Sequence, residues 1–177
     1  MMGKKIFTLF LGALFCLSAS TRMPIAAQGP LDGRNRIFHD ELLDHLVGDW
    51  KLTRKIRGQT AENTVKAEWV LQHQFLRVHM KDLATPPDYE AMIFIGYDNA
   101  SERYVAHWID VFGGRISETL GYGARAGNRI KFVFEYPDGP FHNTFTWDAE
   151  AKTWTCLLEQ KDQTGKWKEF AVDQLHR

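Results

Sequence analysis

A closed, ten-stranded antiparallel β-barrel behind one short helix is the fold this sequence predicts, and three observations predict it. After a single helical stripe near residue 40, the chain falls into short runs rich in aromatic and β-branched residues, about 8 to 12 residues apart. The breaks between them are compact turn signals, among them Asp98-Asn99-Ala100-Ser101-Glu102, Gly113-Gly114, Ala126-Gly127 and Pro137-Asp138-Gly139-Pro140. Connections this short force neighbouring strands to be antiparallel. No later helix is left to cover an open sheet, so closure is the economical way to remove its edges. An open two-sheet sandwich is the alternative.

Composition sets the outer limits. The 177 residues, 44% hydrophobic and 25% charged, have the make-up of one globular domain. Twenty-two basic against 22 acidic groups set nucleic acid aside as a partner, since neutralising phosphates needs a basic excess. Two cysteines exclude a disulfide framework and any cysteine-rich metal site.

The first element is an address. Lys4 and Lys5 precede an apolar run from Ile6 to Leu17, the length of a signal-peptide core and too short for a membrane span. Cleavage after Ser20 or after Ala27 fits the small residues there, and Ala27 is preferred, giving a signal peptide over 1–27. The expected product is exported, periplasmic or secreted, with no stable membrane anchor. Loss of Lys4, Lys5 and Arg22 leaves it three more acidic than basic groups, with Cys156 as its lone thiol. Such a thiol on a strand reads as a small buried hydrophobe.

Residues 28–36, with two Gly and a Pro, read as a flexible leader, and 37–177 as the single barrel domain. Phe38, Leu42, Leu43, Leu46 and Val47 fall on one helical stripe, which Gly48 stops. Strands are then expected to begin near Asp49, Glu62, Gln74, Glu90, Arg103, Arg115, Asn128, Phe141, Thr153 and Lys166. Arg77, His79 and Lys81 alternate along the third, as a solvated outer face would.

Tight turns allow a register argument. If Gly113-Gly114 is a two-residue turn, Val111 faces Ile116, Ile109 faces Glu118 and His107 faces Leu120. One face then holds Val105, His107, Ile109, Val111, Ile116, Glu118, Leu120 and Tyr122; the other holds Tyr104, Ala106, Trp108 and Asp110. The first is more apolar and is expected inside. In the next hairpin Tyr136 should pair with Phe141, Phe134 with Asn143 and Phe132 with Phe145, an inward aromatic wall broken by Asn143. Trp154, Cys156 and Leu158 continue it.

Gly48-Asp49-Trp50 at the start of the first strand, the ten antiparallel strands and the final Arg177 resemble the calycin superfamily, the lipocalin and fatty-acid-binding barrels. That resemblance implies structural roles for Trp50, closing one barrel end, and Arg177, packed over its ring. More closely, Leu46 to Trp50, Gly96-Tyr97-Asp98 and Tyr104 to Asp110 resemble an exported bacterial family of unknown function with a lipocalin-like domain. Trp108 and Asp110 belong to that resemblance, although the register argument turns both outward. Nitrobindin-like haem barrels are a related resemblance; they imply an inward histidine, for which His107 or His176 could be offered.

The leading functional expectation is a small, partly apolar ligand held inside the barrel by His107, Glu118, Asn143, Phe134, Tyr122 and Trp154. His107 and Glu118 could instead form the acid–base pair of an enzyme. A fully packed barrel acting through its surface is the third reading. No metal is expected: His39 and His45, like His73 and His79, are six apart, off helical ligand spacing. No resident cofactor is expected either, and Asn99-Ala100-Ser101 matters only in a glycosylating pathway.

Overall fold

The structure, a computed structural model, describes residues 38–177. The signal peptide, its cleavage point and the leader lie outside the described residues. Asp40 caps the first element, accepting the Leu43 N–H on its carboxylate at 2.9 Å. The helix α1 that follows is one turn, Glu41–Asp44, shorter than its apolar stripe foretold. Leu42, Leu43 and Leu46 are nevertheless buried.

Ten strands follow: β1 (Gly48–Ile56), β2 (Gln59–Val70), β3 (Phe75–Asp82), β4 (Glu90–Asp98) and β5 (Arg103–Asp110). After a helical turn, α2 (Gly114–Ser117), come β6 (Leu120–Ala126), β7 (Arg129–Tyr136), β8 (Gly139–Asp148), β9 (Thr153–Lys161) and β10 (Trp167–His176). Each pairs antiparallel with its sequence neighbour, and β10 returns to pair with β1, closing the barrel. The core is its interior, where Trp154, Phe132, Phe134, Ile93 and Leu52 are buried. The α1 segment plugs one end, with Trp50 donating its indole N–H to the Leu46 carbonyl at 2.7 Å.

Two registers differ from expectation, with opposite consequences. At β7–β8 the pairs are Tyr136–Gly139, Phe134–Phe141 and Phe132–Asn143, displaced by two residues. A shift of two leaves every side chain on its own face, so the aromatic wall faces inward as expected. At β5–β6 the ladder does pair His107 with Leu120 and Val105 with Tyr122, but Gly113-Gly114 is not a hairpin turn. It leads into α2, and β6 starts at Leu120 rather than near Arg115.

The faces of β5 and β6 are also the reverse of those expected. Tyr104, Ala106 and Trp108 face the core, while His107, Ile109, Leu120 and Tyr122 face outward. The physical reason lies on β7. The rings of Phe134 and Phe132 lie across Gly121 and Gly123, where an added Cβ would come within 2.5 and 2.7 Å of them. Only glycines can stand opposite these rings, which fixes the inward face of β6 and, through pairing, that of β5. Greater apolarity was a misleading guide because the outer wall here is itself apolar.

Candidate functional site

The interior at the end away from α1 is polar. Arg54, alternating with Trp50 and Leu52 along β1, points inward and meets Asp173 of β10 in two bonds, Nε to Oδ1 and Nη2 to Oδ2, both 2.7 Å. Their side chains are 10% and 1% exposed, so this ion pair is out of water. Burial opposes the guanidinium charge, but the Asp173 carboxylate outweighs it and holds Arg54 protonated. Its Nη2 also reaches the Met80 sulfur at 3.5 Å.

Tyr89, just before β4, lies 5.2 Å from the Arg54 guanidinium. Its hydroxyl accepts the Trp108 indole N–H at 3.1 Å. With that bond accepted, the hydroxyl still has its own proton to donate. Tyr136 stacks on Phe134 at 5.5 Å with its ring edge toward Phe141. Burial, then the negative charge of Asp110, pushes the Tyr136 hydroxyl up to about 12, and burial raises Tyr89 as well. At neutral pH both are hydrogen-bond donors, near one carboxylate, inside an aromatic rim.

Deeper in the barrel, Asn143 accepts the Cys156 thiol at 2.9 Å on Oδ1. Burial pushes that thiol well above its ordinary range. Trp154 is fully buried, and its indole N–H has no protein partner. A buried N–H left in this state asks for an acceptor that the protein does not supply.

At the plugged end, the Arg177 guanidinium lies 4.5 Å over the Trp50 ring and donates to the Val47 carbonyl at 2.9 Å. Two open hollows flank this end. One, about 710 Å³, is bordered by Phe38, Tyr97, Tyr104 and Arg125; the other, about 490 Å³, by His45, Trp147, His176 and Arg177. Asp40 links the first to the barrel: it accepts the Tyr104 hydroxyl, and Arg125 at 3.3 Å.

Of the six expected ligand contacts, Phe134, Asn143 and Trp154 share the interior. His107, Glu118 and Tyr122 do not. His107 stands on the outer wall and donates its Nε2 hydrogen to the Ser117 carbonyl at 2.6 Å; Glu118 is exposed beyond α2; Tyr122 is 40% exposed beneath Arg103. The acid–base pair expected in the barrel is therefore not formed. Neither His107 nor the exposed His176 reaches the interior, so the residues offered for haem do not fit it. Among the described residues no cluster of His, Cys, Asp or Glu has the arrangement of a metal site.

Sequence reasoning missed Arg54, Tyr89, Asp110, Tyr136 and Asp173 as a group. A signal existed for two of them. Arg54 interrupts the inward series Trp50, Leu52, Ile56, and Asp173 interrupts Ala171, Leu175; two opposite charges on the buried faces of strands that meet ask to be paired. Tyr89 carried none, because the 83–89 connection that brings it in has no periodicity.

None of the curated proteins is similar enough to this chain to match. Among solved structures, Rv2717c from M. tuberculosis matches over 76% of this chain and 94% of its own, with a TM-score of 0.52 and 15% identity. At that identity the likeness is one of fold. Residues 38–177, the whole described barrel with its helical plug, match the family described as "Protein of unknown function (DUF1579)", and the chain belongs to that family.

Proposed function

We propose that this protein is exported and binds a small, partly apolar molecule inside its barrel. The observation that carries the reading is the indole N–H of Trp154, fully buried and without a protein acceptor. An interior that served packing alone would gain from placing Phe there. Trp147 beside Trp154, with Phe132 and Phe145 further along the wall, offers apolar contact. The wall continues through Phe134, Phe141 and Tyr136 to the opposite opening, where the Tyr89 and Tyr136 hydroxyls have protons to donate. Export rests on the basic, apolar and small-residue pattern of residues 1–27.

Native mass spectrometry on the protein purified from its own host's envelope fraction tests this. The expected result is an added mass that denaturation releases. Trp154→Phe should lower its occupancy about five- to tenfold, the loss of one hydrogen bond, while Glu118→Ala leaves it unchanged. A clean protein mass from that source overturns the reading.

A further inference from the structure

The outer face of this barrel is not uniform. On β1 the outward residues are Lys51, Thr53 and Lys55, and on β2 Glu62, Thr64 and Lys66, as water requires. Across the middle of β4, β5 and β6 the outward positions are mostly apolar. Met92 stands opposite Ile109, His107 opposite Leu120, and Val105 opposite Tyr122. Nine large hydrophobic side chains are exposed among the described residues, and seven belong to this wall or to the α2 connection that extends it. Within the wall, Phe112 at 71% and Val111 at 52% stand out furthest.

We propose that this wall is the interface of a homodimer. From the exposures, the apolar side chains of the wall offer about 500 Å², at the upper end of what a monomer leaves bare, a size that is often functional, and enough for the centre of an interface of about 800 Å² per partner. The rim decides the partner. Glu90 with His79, Glu68 with Arg77, Arg103 over Tyr122, and Arg115 near Glu118 carry both signs around the patch. A rim of one sign repels its own copy and selects an oppositely charged protein; a basic rim selects anionic lipid. A mixed rim suits a twofold axis, across which residue i of one subunit meets residue j of the other and j meets i, so groups of opposite sign on the same patch can face each other.

Sedimentation velocity on the purified protein over ~1–100 µM tests this. The expected result is a dimer whose dissociation constant rises at least about thirtyfold in Leu120→Glu and in Ile109→Lys. Lys55→Glu on the opposite wall should leave it unchanged. Thermal melts of each variant show that the barrel survives, and if Leu120→Glu fails to fold, Tyr122→Lys replaces it. A wild-type protein that stays monomeric throughout overturns the proposal, whether or not it then sediments with anionic vesicles. So does a dimer indifferent to all of these substitutions.

Discussion

Arg54 and Asp173 hold opposite charges inside a β-barrel, bonded to each other twice at 2.7 Å. Withdrawing two ions from water costs about as much as their attraction returns, so apolar residues of similar size would serve stability equally well. Removing one partner alone strands a buried charge. Arg54→Met should therefore cost about 3–5 kcal/mol by urea denaturation, as should Asp173→Leu, while the double variant recovers most of the loss. Strict additivity of the two would mean that the pair does not act as a unit. Cys156 illustrates burial acting on a neutral group. Its thiol is enclosed, raised in pKa and hydrogen-bonded to Asn143. A disulfide reagent should leave Cys156 unmodified in the native protein and react with it in denaturant.

At the scale of elements, β6 is shaped by what it lacks. Gly121 and Gly123 leave space that the Phe134 and Phe132 rings fill. Gly121→Ala places a methyl against a ring held between strands and should destabilise by about 1–3 kcal/mol in thermal or chemical melts. A neutral result would mean that the ring moves freely. The same glycines show how far the sequence could be read. Nine strand starts fall within three residues of those expected, because turn residues and alternation are local signals. The sixth does not, because α2 occupies a stretch whose Gly-Gly pair imitates a hairpin turn. The inward faces of β7, β8 and β9 were legible from their aromatics. That of β5 was not, since apolarity marks the core only where the outer wall is polar. A Gly-x-Gly strand beside a Phe-x-Phe strand was the better evidence, for it says where large rings need room. Half of the expected site was lost with that one face, and the polar far end went unseen because its Tyr89 comes from an irregular connection.

For the molecule as a whole, closure depends on one non-sequential pairing. β10 lies between β9 and β1 and also brings Asp173 to Arg54 and Arg177 to Trp50. Without it, two long strands would present free edges, and an interior charge would lose its partner. A chain ending at Lys166 should show no cooperative thermal transition and elute as aggregate in gel filtration. A monomeric, cooperatively melting truncation would show that nine strands suffice.

The distribution of indoles has an optical consequence. Trp147 lies 5.4 Å from Trp154 and 6.4 Å from Trp50, a trio gathered beneath the α1 plug, whereas Trp108 stands apart at the far end beside Tyr89. Chromophores so close couple electronically, so the trio imprints the aromatic region of the circular dichroism spectrum with a signature of that end alone. Trp108, bonded to Tyr89 at the opposite opening, takes no part in that coupling. In an unlabelled sample, the coupled signal of the trio therefore reports on the plugged end of the barrel.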